Sequence, residues 1–314
     1  IGFIDEFDAI GGSRAAAGRG EGAVYFLYYY PTGVDQPRQR PPTVTFALIA
    51  LMALAFGWHH YWPRLLGVDP LRLVYLPGFN PAWAIATAVF LHAGWLHLLS
   101  NLVYVAVLGP PLEDRLGHAR FLVYFVMLGA WGNLTHGLAA AAGWTPPSGV
   151  LGASGAIAGL IAFALVRFYY ARVTLAWWLF SPLQGVNRVG RAPVPLVVAA
   201  LGWLALQGVQ WLVAREAGTN VALAAHFGGF GLGLFLALAL GYHREGRAAA
   251  KLARARRHLE RGQAWAAEGE LLSYLALAPD DVDARLQLAR AQRMTGRGGD
   301  ARLTYRRAYA GASA

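Results

Sequence analysis

Six long apolar runs constrain this chain more than any other feature of its sequence. They lie at about Val44–Trp58, Ala84–Gly109, Phe121–Ala142, Gly149–Val166, Pro193–Ala214 and Val221–Tyr242. A helix needs about 20 apolar residues to cross the hydrocarbon core of a bilayer. Although the first and fourth runs are short, the set predicts an all-α, polytopic membrane protein with six transmembrane helices.

The composition supports a membrane protein and excludes several other classes. Hydrophobic residues make up 56% of the 314 residues and charged residues only 14%, which is too apolar for an ordinary soluble domain. The chain has no cysteine, so disulfide and thiol chemistry are excluded. A net charge of +10 is compatible with nucleic-acid binding. However, the basic residues cluster beside the apolar runs, which indicates a lipid bilayer rather than a nucleic acid as the partner.

The distribution of these basic residues predicts the orientation of the chain. One set of connecting segments is rich in them: Arg38, Arg40, Arg115, Arg120, Arg167, Arg172, Arg188, Arg191, Arg244, Arg247, Lys251 and Arg254. The opposite loops hold only Arg64, Arg72 and Arg215. The positive-inside rule therefore places both termini in the cytoplasm. Together with the basic composition, this signal favours a bacterial inner membrane, with an organelle membrane as the alternative. The rule leaves Tyr61–Trp83, Gly143–Ser148 and Arg215–Asn220 on the outer side.

Two segments flank the membrane domain, which we expect over residues 43–246. Residues 1–42 are glycine-rich and predicted to be irregular. Within them, Ile1–Gly11 resembles the Walker B strand of an ATPase. The chain has no GxxxxGK[ST] loop to bind phosphates and only one lysine, so ATP chemistry is not expected there.

A basic helical pattern with an internal repeat occupies residues 247–314. Leu252 matches Leu286 and Gly262 matches Gly296, each at a spacing of 34 residues. This period resembles a pair of tetratricopeptide repeats and predicts a cytoplasmic protein or peptide partner. The alternative is a plain helical tail.

A serine flanked by glycines opens the fourth run. Because Gly152 and Gly155 have no side chains, the backbone N–H groups around Ser154 can approach a reacting carbonyl. A position near the start of a helix adds unpaired N–H groups and a favourable dipole for an oxyanion. Buried polar groups in a membrane are costly, which makes Ser154 a candidate nucleophile.

The expected partner of this serine is His226, in the sixth run. Gly229 and Gly233 follow it at a small-xxx-small spacing that allows another helix to pack closely. Such packing would bring an imidazole nitrogen within hydrogen-bond distance of the Ser154 hydroxyl, as nucleophile activation requires. The alternative for a single histidine in an apolar helix is a structural role in the core.

A third polar group lies in the second run. His97 and Asn101 are four residues apart and share one helix face, with His92 five residues before His97. Two neutral donors on one face suit the negative charge of a tetrahedral intermediate. The alternatives are a zinc site, which the absence of an HExxH motif disfavours, and interhelical hydrogen bonding.

Together these motifs resemble the rhomboid family of intramembrane serine proteases. The resemblance covers about Val44–Tyr242 and rests on four motifs in order. They are HxxxxHxxxN from His92 to Asn101, ExRxG from Glu113 to Gly117, GxSG from Gly152 to Gly155, and AHxxGxxxG from Ala225 to Gly233.

The resemblance implies a helical bundle with a water-filled cavity and a site without cofactor or metal. Ser154 would be the nucleophile, His226 the general base, and His97, Asn101 and the Ser154 N–H the oxyanion hole. His92 would have a supporting role. Substrates would be single-span membrane proteins, admitted by movement of the fifth helix and the loop Arg215–Asn220.

Other functions require different residues or a different outcome. A rhomboid-like protein that binds or traffics membrane proteins without cleaving them would not need Ser154. A transporter with a polar relay would need an intramembrane carboxylate, and the apolar runs contain none. We therefore expect an intramembrane serine endopeptidase.

Overall fold

The computed structural model describes residues 26–217 and 223–312. Within these ranges the chain is mostly helical, with one small sheet. The helices are α1 (Thr43–Tyr61), α2 (Ala84–Thr87), α3 (Trp95–Leu116), α4 (His118–Ala141), α5 (Ser154–Arg167), α6 (Leu196–Ala217), α7 (Leu223–Ala239), α8 (Tyr242–Glu260), α9 (Ala264–Leu275), α10 (Val282–Met294) and α11 (Gly298–Ala312). The strands are β1 (Phe26–Val34), β2 (Arg172–Ser181) and β3 (Val186–Pro195). The Walker-B-like segment Ile1–Gly11 and residues 218–220 of the loop Arg215–Asn220 lie outside the described residues.

Several of the helices have the length and composition of membrane spans. Among the described residues, α1, α3 and α4 are long and apolar enough to cross a bilayer. Helices α7 and α8 meet at a 74° bend and pass the same test as a pair, which raises the number to four. Helix α5 and the Leu196–Leu212 part of α6 are apolar but shorter. The helix in the fourth run is shorter than the run itself, because Gly149–Ala153 precede the helix and α5 begins only at Ser154.

The second apolar run is not the single helix predicted over Ala84–Gly109. Helix α2 gives way to a 3-10 turn at Ala88–Phe90, and α3 begins only at Trp95. Leu91 and Gly94 between them have extended backbone, with φ values of −93° and −173°. Apolar composition does not report backbone geometry, which explains why the break was missed. His92 lies in the break and not on a helix.

The three-stranded sheet contradicts the all-α prediction and the irregular structure predicted for residues 1–42. Its order is β1–β2–β3, and both neighbouring pairs are antiparallel. Strand β2 is rich in β-branched and aromatic residues, which favour a pleated surface. Cross-strand aromatic pairs link β1 to β2: Phe26 with Phe180 and Tyr28 with Trp178, with ring centroids 6.4 and 5.8 Å apart.

A buried carboxylate fixes the start of α1. Glu113, near the end of α3, is fully buried. It accepts hydrogen bonds from the Val44 and Thr45 N–H groups at 2.8 and 2.7 Å, and from the Thr45 hydroxyl at 2.6 Å. The first N–H groups of a helix have no partner within it, and a negative charge there also complements the helix dipole. The first residue of the ExRxG motif thus caps one helix from another.

The described chain divides into two compact units. The first extends to Ala162 and includes Ala171–Gly233, and the second comprises Phe163–Tyr170 with the chain from Leu234 onward. The division falls within α5 and α7. The second unit has its own apolar core of small residues and leucines from α8 to α10: Ala255, Leu259, Ala267, Leu271, Ala284, Leu288 and Ala291.

Candidate active site

Ser154 is the first residue of α5, and the segment before it makes backbone hydrogen bonds with two other parts of the chain. The Gly152 N–H donates to the Ala88 carbonyl at 2.8 Å. Tyr75 and Val150 exchange two backbone hydrogen bonds of 3.2 and 2.8 Å. These contacts fix the turn into α5 and place the Ser154 N–H among the first, unpaired donors of the helix.

His226 lies on α7 and contacts Ser154 directly. Its Nε2 is 2.8 Å from the Ser154 Oγ, although the two residues are 72 positions apart in the sequence. A base within about 2.6–3.2 Å of a hydroxyl can remove its proton. The contact expected from the sequence is therefore present.

The close approach of α5 and α7 depends on glycines that face each other. A Cβ added at Gly229 would overlap the Gly155 carbonyl oxygen, and one added at Gly233 would overlap the Gly159 carbonyl oxygen. Only residues without side chains allow two helix backbones to approach this closely. The missing side chains of Gly159, Gly229 and Gly233 thus set the distance between the helices that carry Ser154 and His226.

His97 and Asn101 lie beside Gly152, two residues before Ser154. Gly152 has a φ of +118°, and a Cβ there would lie 2.7 Å from the His97 Cε1 and Nε2 atoms. The Asn101 Nδ2 is 3.9 Å from the same point and donates to the His97 carbonyl at 2.9 Å. The His97 Nδ1 accepts from the Ala93 N–H at 3.5 Å, which leaves Nε2 as the donor of the neutral ring.

His92 is fully buried behind these residues. Its ring lies edge-on to that of His97, with centroids 5.1 Å apart. His92 thus contacts the group through the packing of its ring against that of His97.

Gln207 also belongs to this group, and the sequence analysis missed it. Its side-chain Oε1 is 2.6 Å from the His226 Nδ1, and the residue is only 5% exposed. It lies on α6, as does Trp203, whose ring centroid is 6.1 Å from that of His226. The sequence feature that could have identified Gln207 is its polar amide within the apolar run Pro193–Ala214. A polar group in an apolar run is also the criterion that identified Ser154 and His226.

The site consists of neutral groups. In the part of the chain that the structure describes, no group of three His, Asp or Glu side chains is arranged to hold a metal ion. A hydroxyl paired with an imidazole, next to neutral donors, can carry out nucleophilic acyl transfer. The fold and the site thus define a helical membrane protein with a serine–histidine pair between packed helices.

Comparison with known proteins gives the family. The rhomboid domain family matches residues 80–243, slightly more than half of the chain. The chain belongs to the rhomboid family.

Individual relatives are distant. The chain is 28% identical over 178 residues to "Rhomboid-like protease 3" of Toxoplasma gondii, which covers 56% of this chain and 59% of that one. It is 30% identical over 220 residues to "Rhomboid-related protein 2" of Mus musculus, covering 67% of each chain. It is 28% identical over 177 residues to "RHOMBOID-like protein 5" of Arabidopsis thaliana, covering 56% of this chain and 49% of that one. The chain thus spans about half the length of several relatives that it matches.

Proposed function

We propose that this chain is an intramembrane serine endopeptidase that cleaves single-span membrane proteins within or beside their transmembrane segment. The observation that carries the proposal is the 2.8 Å contact between the Ser154 Oγ and the His226 Nε2 inside a rhomboid domain. The family includes proteins named as proteases, such as the Toxoplasma relative. These facts support the proposal.

The proposed reaction is acyl transfer through Ser154. His226 Nε2 takes the hydroxyl proton as the Ser154 Oγ attacks the scissile carbonyl carbon, and a tetrahedral oxyanion forms. The C–N bond then breaks, the amine leaves with the proton from His226, and an acyl-enzyme remains. Water, deprotonated by His226, attacks the ester and releases the second product and the free serine.

Three donors are proposed to stabilise the oxyanion. They are the Ser154 backbone N–H, the His97 Nε2–H and the Asn101 Nδ2–H, which lie around Gly152. Because these donors are fixed by the fold in an environment of low dielectric constant, they need no reorganisation during the reaction. Removing one such donor typically costs about 10²–10³ in kcat.

We also propose that α1, α3, α4, α5, α6 and α7 are six membrane spans with both chain termini in the cytoplasm. The short helix α5, with 14 residues, would be accommodated by local thinning of the bilayer or by tilt of its neighbours. The positive-inside distribution of arginines supports this orientation.

The tail is proposed to be a pair of tetratricopeptide-like repeats that recruits a cytoplasmic protein or peptide. Helices α9 and α11 begin 34 residues apart (298 − 264 = 34). Gly262 and Gly296, two residues before each start, share a positive φ of 72° and 79°. Deletion from Ala248 onward should spare the cleavage of a general substrate and abolish cleavage of a recruited one. Loss of both would assign the tail a purely structural role.

The function is tested by reconstituting the protein in liposomes with a single-span substrate that has small, helix-breaking residues near its membrane boundary. Wild type should produce new termini, identified by mass spectrometry, and Ser154→Ala and His226→Ala should not. Ser273→Ala, at an exposed serine of α9, is the matched control and should cleave normally. Substrate capture without new termini, equal in wild type and Ser154→Ala, would replace the proposal with a binding function.

A further inference from the structure

We propose that Gln207 is a positioning residue that holds His226 in the one neutral tautomer able to accept the Ser154 proton. The catalytic consequence rests on the function proposed above, whereas the tautomer itself can be observed without catalysis. The inference starts from the two polar contacts of the imidazole, one at each ring nitrogen.

The chemistry of the two partners determines where the ring proton lies. With the amide oriented as in the structure, the Gln207 Oε1 lies 2.6 Å from Nδ1 and can only accept, so Nδ1 carries the hydrogen. A neutral imidazole then has its lone pair on Nε2, which faces the Ser154 Oγ at 2.8 Å. In the other tautomer, two lone pairs would face each other at Nδ1, and the Nε2–H would point at the hydroxyl that has to lose a proton.

Burial makes this hydrogen bond a strong constraint. Gln207 is 5% exposed, so its amide cannot turn to water for a substitute partner. A buried acceptor left without a partner costs about 1–3 kcal/mol. The imidazole is also confined from the side by Trp203, one turn earlier on α6, with ring centroids 6.1 Å apart. Trp203 in turn stacks on Phe230 at 6.4 Å and 17°, which fixes α6 against α7 on this side of the base.

An amide suits this position better than a carboxylate would. An ionised carboxylate buried among apolar helices has a high desolvation cost. A neutral amide orients the ring without that cost, at the expense of weaker stabilisation of the imidazolium that forms during proton transfer. Gln207 thus provides in the membrane the orienting half of what a buried aspartate does in a soluble triad.

A consequence is that three helices must be in place for the base to function. Ser154 is on α5, His226 on α7 and Gln207 on α6. A displacement of α6 that breaks the 2.6 Å contact would leave the tautomer of His226 unspecified, even with Ser154 and His226 unmoved.

The first test compares cleavage rates of Gln207→Met and Gln207→Glu in full-length protein in liposomes. Gln207→Met keeps the volume and removes the acceptor, so we expect kcat to fall about tenfold, the value of one hydrogen bond, with KM unchanged. Gln207→Glu restores an acceptor, and we expect it to recover most of the rate. Its negative charge stabilises the imidazolium, so the acid limb of the pH–rate profile should move to higher pH. Gln210→Met, on the same helix, is the matched control and should resemble wild type.

A purely structural Gln207 would behave differently. Both variants would then lower the thermal midpoint alike, the glutamate would not restore the rate, and the acid limb would stay in place. That result would overturn the inference.

The second test observes the ring proton directly by ¹⁵N NMR of histidine-labelled protein in detergent, in a Ser154→Ala background. His226 should show a protonated Nδ1 and an unprotonated Nε2, and the additional Gln207→Met change should mix the two tautomers. An Nε2–H signal with Gln207 present, or no change on its removal, would contradict the inference. Because this readout needs no activity, it separates failure of the Gln207 role from failure of the proposed protease function.

Discussion

The glycine contact between α5 and α7 allows a quantitative test of how the site is held together. The change is Gly229→Ala, one methyl group at the point where the two backbones touch. The added Cβ would overlap the Gly155 carbonyl oxygen and lie 2.8 Å from the carbonyl carbon, whereas ordinary contact begins at 3.4 Å. The helices must therefore separate by at least 0.6 Å, because a backbone carbonyl cannot rotate away as a flexible side chain would.

That separation has two measurable costs. Overpacking a well-packed interior costs about 1–3 kcal/mol, and the rigid neighbour places this case at the upper end. A shift of 0.6 Å along the line from Ser154 to His226 would also lengthen their 2.8 Å contact beyond the roughly 3.2 Å reach of a base. We therefore expect a lower thermal midpoint in detergent and a loss of cleavage greater than tenfold.

Gly155→Ala is the matched control for this test. Its added Cβ would lie 3.4 Å from the Ala225 carbonyl oxygen and 3.5 Å from the Gly132 Cα, which is ordinary contact. Alanine also favours a helix over glycine by about 1 kcal/mol, so this variant should be as stable as wild type or slightly more so. Because Gly155 adjoins Ser154, the two variants are compared by thermal midpoint: an equal fall in both, or none in Gly229→Ala, would refute the packing argument.

Three further variants test other contacts. Gly152→Ala combines a strained positive φ with a Cβ 2.7 Å from the His97 ring, so cleavage should fall at least tenfold, and an unchanged rate would contradict the assigned geometry. Glu113→Gln replaces an acceptor by an amide donor opposite the start of α1. It should lower stability by about 1–3 kcal/mol in thermal unfolding, and a variant as stable as wild type would show that this cap is dispensable. In the tail, hydrogen bonds from the Arg254 guanidinium hold the pKa of Glu270 below its ordinary value. A carboxyl whose pKa is lower in the folded state stabilises the fold at pH values above its unfolded-state pKa. That stabilisation is lost as the pH falls through the folded-state pKa. The small difference in thermal midpoint between wild type and Glu270→Gln should therefore vanish in acid, and a difference that grows there would refute the assignment.

Local patterns in the sequence predicted several elements well. The first run, Val44–Trp58, lies within α1, and the third, Phe121–Ala142, nearly coincides with α4. The Ser154–His226 contact could also be anticipated, because the glycine spacings on both helices describe a close approach before any coordinates are known.

Features that depend on distant partners could not be predicted in this way. Strand β1 pairs with β2 more than 130 residues further along the chain, and nothing within Phe26–Val34 identifies that partner. The break that places His92 between α2 and α3 depends on backbone angles, which hydropathy does not encode. Gln207 was missed because the search was for nucleophiles, bases and oxyanion donors, whereas an orienting residue becomes visible only beside the ring it contacts.

The most direct measurement of the central claim is the labelling of detergent-solubilised protein with a fluorophosphonate, followed by mass spectrometry of the modified peptide. Such a probe forms an adduct only with a serine whose hydroxyl is activated. We expect the adduct on Ser154 in wild type and none in Ser154→Ala or His226→Ala, with all three proteins shown to be folded by thermal unfolding. An adduct on another serine, or labelling of His226→Ala at the wild-type rate, would contradict the claim that His226 activates Ser154.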